Sequence, residues 1–591
     1  MRNKHRIEIT SVPQVELLES RRFFSAVSHI RVDTTVLPKA VASNLRVHAA
    51  KVGPSSANSL FLSADDVKTI LAQAASQASP GQVIAVADRD GNILGLLEAP
   101  TTAAVSASQL AIREIKAIDE AVTASFFAST QDAFSTRTAR FIIQDHFPNP
   151  VANTPGGPLY GVQFSSLHGA VSDGLGFHSS DIYPMTLAGL SGDPGGIPLY
   201  LNGIPVGGIG VAGDGKDILA RSDVAIQGDT DATAKASNGV EEHSRNEAVA
   251  LAGAKGFMAP VAIRADKIFL EGLRFPFTLD KPASGKTSQT FDQLQTAGAT
   301  LLTYPNFFNG TVAGGHANFT DTAFNGIPGQ LRFPIIAGTS AGPGLPSLSS
   351  ADVTQIIGQA VSRATKTRAA IREPVGVQAR VFVSVVDVQG NVLGVFGMQD
   401  TTNFSYDVAV QKARTAVFFS NDSAAFSSRA VGFLAQKFFP VGINGGQTGP
   451  LYHLQNELSG FNLVDPTAGA LGNLQPLKFG GVVSNGITLF PGGFPLYKDG
   501  HLVGGIGISG DGVDQDDLIS FSGAAGFQPA AAIRSDRLGP NGIAQRIHSI
   551  LPNLATLGVH QQIRDQISVA VSKDAKHVKL PYVKLPRHAD L

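Results

Sequence analysis

The chain contains the same glycine-rich sequence twice, and this duplication limits the folds it can adopt more than any other feature. "PGGIPLYLNGIPVGGIGVAGDG" begins at Pro194, and "PGGFPLYKDGHLVGGIGISGDG" begins at Pro491. The two stretches agree at 15 of 22 positions. A chain of 591 residues is also too long for one ordinary hydrophobic core. The sequence therefore predicts at least two related domains.

Four further pairs of matching segments show that the duplication extends over whole domains. The pairs are "VIAVADRDGNILGLLEAPTT" with "VFVSVVDVQGNVLGVFGMQDTT", "ASFFASTQDAFSTRTARFIIQDHFP" with "AVFFSNDSAAFSSRAVGFLAQKFFP", "GGPLYGVQFSSL" with "TGPLYHLQNEL", and "LAGAKGFMAPVAIRAD" with "FSGAAGFQPAAAIRSD". Because they keep the same order, we divide the chain into two repeats and three other segments. These are an N-terminal part at 1–59, repeat one at 60–273, a connecting segment at 274–347, repeat two at 348–538 and a C-terminal extension at 539–591.

Each repeat combines helical patterns with hairpin signals. Ser63 precedes an apolar-periodic stretch, which is typical of a helix N-cap. "DRDGN" and "DVQGN" lie between two apolar runs and predict hairpin turns. Asn202-Gly203 and Asp499-Gly500 tolerate the positive φ that a second hairpin turn needs. Hairpin-linked strands with helices between them predict an α/β (α+β) fold, in which helices cover an antiparallel sheet.

The repeated motif contains a G-x-G-x-x-G pattern but does not indicate a nucleotide site. A dinucleotide fingerprint lies between a strand and the start of a helix, whereas Gly505, Gly507 and Gly510 fall within and after the second strand of a predicted hairpin. Glycine in a strand often marks close approach by something else. At Gly504 and Gly505 this is either a helix or neighbouring subunit, or a flat ligand lying against the backbone.

Composition excludes several classes of protein. The content of 43% hydrophobic and 16% charged residues is typical of a folded globular chain. A net charge of −1 gives no electrostatic reason to expect nucleic acid as a partner. With no cysteine, disulfides, thiolate metal sites and cysteine nucleophiles are excluded. We also expect no membrane span, because no apolar run reaches about 20 residues.

The N-terminal part predicts export. It has no apolar core of a secretory signal, but "VELLESRRFFSA" resembles the short Leu-Glu-x-Arg-x-Leu/Phe-Ser tag that begins many exported proteins of certain bacteria. The alternative is an amphipathic or frayed N-terminus. We therefore expect the protein outside the cell or at its surface.

The second repeat resembles a known family. The Gly492–Gly510 motif followed by "DQDD" is similar to the C-terminal signature of the GlcG/HbpS-like haem-binding family, "VSVVDVQGNVLGVF" resembles its first hairpin, and "DVAVQKARTAVFF" resembles its Lys-Ala-Arg-Thr-Ala helix. The resemblance implies a profilin-like fold, with a five-stranded antiparallel sheet and helices on both faces. It also implies that the ligand is haem or another planar molecule, which members bind or degrade, often as oligomers.

The two repeats differ at the positions that this resemblance makes important. Lys412 and Arg414 match the family helix, but repeat one has Glu120 and Val122 there. A basic side chain can pair with a ligand carboxylate, so we expect repeat two to carry the site; the alternative is a surface lysine and arginine. The predicted cofactor-binding residues are Lys412, Arg414, Gly492, Gly493, Gly504 and Gly505. Repeat one is then a structural partner in an internal pseudo-dimer, and homo-oligomers are a further expectation.

An axial haem ligand is not evident from the sequence. Histidine is one of the usual ligands, and the candidates by residue type are His146, His168, His178, His453 and His501. Phe418, Phe419, Phe438 and Phe439 fit either the walls of a porphyrin site or a core. The acidic residues Asp511, Asp514, Asp516 and Asp517 fit either Ca²⁺ binding or helix capping.

The remaining segments predict packing rather than catalysis. The connecting segment is rich in phenylalanine, so we expect it to pack over the domains, and "HVKLPYVKLPRHADL" predicts an extended tail. The sequence thus predicts an exported haem-binding protein that sequesters or degrades haem. The alternative is a non-catalytic structural or interaction protein that keeps the fold without the pocket. No motif decides whether the protein is an enzyme.

Overall fold

A computed structural model describes most of both repeats and the regions after each. The described residues are 61–142, 157–159, 190–214, 243–270, 272–302, 319–436, 439, 448–452, 488–489, 491–556, 561–574 and 578–591. The predicted export tag, His146, His168, His178, Phe438 and His453 lie outside these ranges.

Repeat one contains a four-stranded antiparallel core. Its elements are helices α1 (Ala64–Gln77), α2 (Ala107–Phe126), α3 (Thr136–Ile142) and α4 (Arg245–Gly253), with strands β1 (Val83–Asp88), β2 (Ile93–Glu98), β3 (Ile197–Leu201) and β4 (Ile204–Ala212). The strand order is β3-β4-β1-β2. Helix α2 packs on one face of the sheet, and α1 with α4 packs on the other.

Local sequence explains how helix α1 begins. The Ser63 side chain accepts a hydrogen bond from Asp66 N, and the Asp66 carboxylate accepts one from Ser63 N, which forms a capping box. Ser349 and Asp352 form the same arrangement at the start of the corresponding helix in repeat two. The predicted N-cap at Ser63 is therefore confirmed.

Repeat two has the same elements in the same order. Before them, β5 (Phe269–Leu270) lies at the end of repeat one, and β6 (Leu273–Arg274) lies at its boundary with the connecting segment. The connecting segment contains α5 (Phe291–Thr296), β7 (Thr300–Leu301), β8 (Thr320–Phe324) and β9 (Ile327–Phe333). Repeat two itself has α6 (Ser350–Ala364), β10 (Val381–Asp387), β11 (Val392–Met398), α7 (Phe404–Phe418), α8 (Ser428–Leu434), β12 (Gly493–Lys498), β13 (His501–Gly510) and α9 (Val513–Gly523).

The two glycine-rich motifs occupy equivalent places in the two sheets. Strands β4 and β13 are the second strands of their hairpins, and each pairs with the first strand of its repeat: Ala85 faces Gly210, and Ser384 faces Gly507. The predicted fold class, antiparallel sheets flanked by helices, is confirmed. The resemblance implies five strands in each sheet. The described sheet of repeat one has five strands, whereas that of repeat two has six.

The connecting segment supplies the additional strands. Strand β7 pairs with β2 at the edge of the first sheet, and α5 packs against α1. The hairpin β8–β9 pairs with β11 at the edge of the second sheet. The expectation that this segment packs over the domains therefore omits its main role, which is to extend both sheets.

The chain after repeat two forms two helices and an extended segment. Helices α10 (Pro540–Thr556) and α11 (Gln561–Asp574) contribute Ile543, Ile547 and Val571 to a core shared with Phe419. The residues that follow are extended, as the sequence predicts, but they are packed: Tyr582 is buried in the core of repeat two, against Phe494.

Extended segments cross equivalent places in the two repeats, and we call them strap one (residues 275–286) and strap two (residues 580–590). Phe277 of strap one lies under the guanidinium of Arg264, and Tyr582 of strap two lies under that of Arg534. Each strap is the structural counterpart of the other, so the equivalence of the repeats continues beyond the boundaries predicted at 273 and 538.

The repeats contact each other through unlike surfaces. The ring of Phe127, at the end of α2, stacks on that of Phe404, at the start of α7, with centroids 4.2 Å apart. Phe419 is the counterpart of Phe127, but it packs in the core that contains Ile547 of helix α10. The contact is therefore head-to-tail. Among the described helices, none combines the length and apolar character needed to cross a membrane.

Candidate functional site

The glycines of the repeated motif allow a helix to lie directly on the sheet. A Cβ added at Gly505 would lie 2.5 Å from the carbonyl oxygen of Ala413 in helix α7. In repeat one, Gly208 faces the carbonyl oxygen of Ala121 in α2 in the same way. Of the two alternatives for Gly505, the close helix is therefore correct, because the helix backbone occupies the space that a flat ligand would need.

The other three predicted glycines have different surroundings. A Cβ added at Gly504 would lie on the opposite face of the sheet, 2.9 Å from a methyl group of Leu348. Gly493 lies against the backbone carbonyl of Lys412, and Gly492 has a φ of +115° in the turn before β12. A Cβ at Gly492 would lie 3.0 Å from Lys412 Nζ and 2.9 Å from Asp516 Cβ. Only this pair of glycines therefore borders the predicted basic site.

Lys412 lies inside the domain rather than on its surface. Its side chain is fully buried, and Nζ donates to Ile508 O at 2.7 Å and to Asp516 Oδ2 at 2.7 Å. This corrects the alternative of a surface lysine. A ligand carboxylate would have to displace Asp516 before it could pair with Lys412.

Arg414 is also buried, but it does not share a site with Lys412. Its Nε donates to Gly390 O in the β10–β11 turn at 2.9 Å. Residues two apart on a helix do not face the same side, and the partners of the two cations lie on different strands and turns. The two predicted cofactor-binding residues Lys412 and Arg414 therefore have separate surroundings in this structure.

Burial controls the protonation of the Lys412–Asp516 pair. Desolvation raises the pKa of Asp516 to about 7, although the nearby Lys412 ammonium partly offsets this increase. Desolvation also lowers the pKa of Lys412, against the attraction of Asp516. Within the described chain, Asp516 Oδ1 has no hydrogen-bond partner. The pair is thus a buried acid and base: burial disfavours the charged form of each partner, and their mutual attraction favours it.

The acidic residues after β13 pair with basic side chains. Asp511 contacts Arg372, Asp516 contacts Lys412, Asp517 contacts Arg429, and Asp514 contacts Arg429 and Lys584. The described residues contain no group of three or more side chains arranged to hold a metal ion. The geometry therefore gives no support to the Ca²⁺ alternative for this cluster.

Repeat one has an acidic residue, Glu120, at the position of Lys412 in repeat two. Glu120 is fully buried, and its Oε2 accepts from Val211 N at 3.0 Å, where Lys412 in repeat two donates to Ile508 O. Burial raises the pKa of Glu120 well above its usual value. The equivalent helices therefore carry a buried acid with a raised pKa in repeat one and a buried lysine in repeat two.

The only histidine candidate within the described residues lies far from Lys412. His501 is in the β12–β13 turn, half-exposed, with Nδ1 2.8 Å from Asp422 Oδ2. His501 and Ile508, whose carbonyl accepts from Lys412, are seven residues apart along β13. At about 3.3 Å per residue, this corresponds to roughly 23 Å. Phe418, Phe419 and Phe439 are buried in the core with α10 and α11. The described aromatic residues thus form a core.

Sequence reasoning missed Asp516 as the partner of Lys412, because 104 residues separate the two along the chain. A signal was present in the comparison of the repeats. Gly253 and Gly523 occupy equivalent helical positions next to β4 and β13, and this alignment places Asn246 opposite Asp516. Repeat one thus has Glu120 and Asn246 where repeat two has Lys412 and Asp516, so a lysine–aspartate pair is possible at these positions only in repeat two.

Comparison with known proteins agrees with the motifs of repeat two. Residues 348–525 match the model of a family described as haem degrading protein HbpS-like. A 150-residue stretch is 32% identical to the corrinoid adenosyltransferase PduO of Salmonella typhimurium, covering 25% of this chain and 33% of PduO. The chain thus spans about a third of the length of that curated relative.

Three solved structures are similar to parts of the chain. They are the complex of PduOC with haem (26% identity, 30% of this chain and 94% of that chain, TM-score 0.20), ORFY of Klebsiella pneumoniae (19%, 32% and 94%, 0.21) and a double mutant of HbpS from Streptomyces reticuli (22%, 32% and 97%, 0.19). The family match and the motifs of the second repeat agree that residues 348–525 are similar to the HbpS-like family.

Proposed function

We propose that the protein binds haem through repeat two. The observation that carries this proposal is the match of residues 348–525 to a family described as haem-degrading. Repeat two also keeps the basic helix position at Lys412, which in repeat one is Glu120. Haem supplies an iron centre and two carboxylates when it is bound. This chain's contribution near Lys412 is a buried cation that a carboxylate reaches by replacing Asp516.

The fit of the described residues to haem is partial. The buried basic side chain suits a propionate. Asp516 Oδ1, which has no hydrogen-bond partner among the residues that the structure describes, is a polar atom that a ligand can satisfy. His501, however, lies at the far end of β13 and cannot act as axial ligand to a haem held near Lys412. The proposal therefore concerns binding and assigns no axial ligand.

Titration of the full chain with haemin, followed by the Soret band, tests this proposal. A matched pair of variants separates the repeats: Lys412→Gln alters repeat two, and Glu120→Gln alters the equivalent position of repeat one. We expect about tenfold weaker binding for Lys412→Gln and unchanged binding for Glu120→Gln, with circular dichroism as the folding control. Absence of wild-type binding, or equal effects of the two variants, contradicts the proposal.

A second function, a non-catalytic structural or interaction protein, is favoured by one observation. Lys412 and Arg414, the residues that suggested a ligand, both have protein partners in the buried core. Their chemistry can thus be explained by folding alone. A protein that fails to bind haemin but folds normally would support this function.

Sequestration and degradation of haem are finer alternatives within the first proposal. Sequestration predicts a Soret band that persists when oxygen and a reductant such as ascorbate are added. Degradation predicts loss of the band and release of iron that ferrozine can detect. Comparison with free haemin under the same conditions provides the baseline.

We also propose that the protein is exported, on the basis of "VELLESRRFFSA" in the N-terminal part. Fractionation of the producing bacterium tests this proposal. We expect the wild-type protein in the medium or on the surface, and a variant with Arg21 and Arg22 both replaced by alanine in the cells. Equal distribution of both proteins contradicts the role of this motif.

A further inference from the structure

A ring of hydrogen bonds crosses the boundary between the two repeats. It is centred on Arg372, which belongs to the loop 365–380 of repeat two; repeat one has only residues 78–82 between the corresponding helix and strand. The Arg372 side chain is fully buried, and Nη1 donates to Ser129 Oγ at 3.0 Å and to Asp400 Oδ2 at 2.9 Å. Arg372 therefore connects the loop after α2 in repeat one with the loop before α7 in repeat two.

Asp400 is the second element of this ring. Thr130 of repeat one donates to its carboxylate twice, from the backbone N at 2.8 Å and from Oγ1 at 2.7 Å. Asp400 has a φ of +64°, a conformation that few residues other than glycine adopt. The loop of repeat two thus keeps a strained backbone at the position where its side chain meets repeat one.

Asp132 is the member of the ring whose carboxylate receives few hydrogen bonds. Its side chain is completely buried, and Oδ1 accepts from the hydroxyl of Ser129. Oδ2 has no hydrogen-bond partner among the residues that the structure describes. Its link to Arg372 passes through Ser129, because the guanidinium donates to Ser129 Oγ. A buried carboxylate with so few donors is costly when ionised.

Charged groups from both repeats face Asp132. They are Arg372, Arg89, Asp400, Asp511 and the hydroxyl of Tyr200, with Arg380 beyond Arg372. Arg372 attracts the Asp132 carboxylate, but the same guanidinium already pairs with Asp400 and Asp511. The repulsion by these two carboxylates adds to the desolvation of Asp132.

We propose that Asp132 is a proton-operated latch between the repeats, which is closed when its carboxyl group is protonated and loosened when the group ionises. The protonated group can satisfy Oδ2 as a hydroxyl, and it removes one of the three negative charges around Arg372, which are those of Asp132, Asp400 and Asp511. Since Asp511 begins the acidic segment of repeat two and pairs with the same arginine, the latch links the state of repeat one to that segment.

The direction of the pH effect follows from the pKa of Asp132. Desolvation raises this pKa from 3.8 to about 7 in the closed state, and Arg372 offsets only part of the rise. In an open, hydrated state the pKa returns toward its ordinary value of about 3.9. The latch is therefore fully effective below about pH 4, weakens as the pH rises, and reaches its weakest state above about pH 7.

Hydrogen exchange of the full chain, measured by mass spectrometry from pH 4.5 to 8.5, tests the proposal. Rates are corrected for the intrinsic pH dependence of amide exchange. The peptides to follow are those covering 126–133 and 369–374. We expect the opening equilibrium to rise by up to about tenfold per pH unit between pH 5 and 7, the limit for one proton, and to level off above pH 7.

Three variants make the result decisive. Asp132→Asn imitates the neutral acid, so we expect protection to remain high and independent of pH. Asp516→Asn removes a different buried acid, and we expect the wild-type pH slope in the ring peptides. Thr130→Val removes one hydrogen bond to Asp400 without changing Asp132, so it should lower protection at every pH and keep the slope.

The proposal is overturned if the wild-type peptides show no pH slope, or if Asp132→Asn keeps the wild-type slope. If Asp132→Asn fails to fold, Thr130→Val decides the matter, because loss of its slope would place the titrating group elsewhere. Haem is not needed for any of these measurements. The proposal is therefore independent of the proposed function.

Discussion

Repeat one and repeat two share their framework but differ in the charge at its centre. Hydroxyl groups at equivalent helix starts, from Thr136 and Ser428, accept from Gly196 N and Gly493 N at 2.9 and 2.8 Å. Near these shared contacts, repeat one has the acidic residue Glu120, whereas repeat two has the basic residue Lys412. The comparison teaches that the backbone and its polar supports were retained while the charge beside them changed.

Both repeats also retain a buried ion pair beneath the strap. Arg137 pairs with Glu247 in repeat one, with Nε to Oε1 at 2.7 Å, and Arg429 pairs with Asp517 in repeat two. Backbone N–H groups of the straps donate to these carboxylates, from Asp280 at 2.9 Å in strap one and from Lys584 at 3.0 Å in strap two. The straps therefore complete equivalent structural units in both repeats.

The largest expected loss of stability comes from removing the buried aromatic side chain of each strap. Phe277→Ala and Tyr582→Ala each remove a buried aromatic ring, so each should lower the free energy of unfolding by about 3–5 kcal/mol. Chemical denaturation with two probes of unfolding measures the loss. The Tyr582 hydroxyl has no hydrogen-bond partner among the described residues, so Tyr582→Phe should cost little. A large loss in only one repeat would break the equivalence of the straps.

The charge difference predicts unequal effects at the centre of the repeats. Lys412→Met leaves Asp516 buried without its cation, which should cost about 3 kcal/mol at pH 8. Since burial raises the pKa of Asp516 to about 7, the variant should lose less at pH 5.5, where Asp516 is protonated. Glu120→Gln keeps the shape of the side chain and its hydrogen bond from Val211 N, so it should cost only about 1 kcal/mol. Thermal melts at pH 5.5 and 8 measure the difference in stability between the two variants. Equal losses of stability in Lys412→Met and Glu120→Gln would contradict this prediction.

The glycine positions should respond alike in the two repeats. Gly505→Leu and Gly208→Leu both force a side chain against the backbone of a helix, and we expect each to cost about 1–3 kcal/mol. Melting temperatures of the two variants give the measurement. An unchanged melting temperature for Gly505→Leu would show that the close approach of α7 does not constrain the strand.

The smallest effect is expected at His501, outside the shared framework. This residue lies half-exposed in a turn and contacts only the exposed Asp422 in the described structure. His501→Ala should therefore change stability by no more than about 0.5 kcal/mol. A loss as large as that of Gly505→Leu would show that the turn contributes to the core.

Much of the fold could be predicted, because the duplicated sequence carries local signals. Turn residues such as Asn202 and Asp499 have a φ of +51°, as the hairpin prediction requires, and the capped helices begin where the sequence places a serine. The edge strands were not predictable, since β7 has only two residues. Strap two was missed because helices α10 and α11 separate it from the rest of its repeat.

The site was less accessible to sequence reasoning than the fold. The family resemblance assigned Gly492 and Lys412 to the same predicted site. The sequence does not show, however, which way a helical side chain points. Lys412 and Arg414 are two residues apart, so a helix directs them to different partners. The role of Arg372 depends on contacts with residues 28, 139 and 243 positions away along the chain, and no local pattern encodes such contacts.

The late position of strap two has a consequence for the order in which the protein is made. Strap one follows the last short helical turn of repeat one, Ala265–Lys267, almost directly, whereas α10 and α11 lie between Ser535–Arg537 and strap two. At roughly 5–20 residues per second of synthesis, repeat two waits about 2–7 seconds longer than repeat one for its closing segment. Repeat one is therefore complete before the ribosome releases the segment that closes repeat two, and during this interval the place of Tyr582 is open to water.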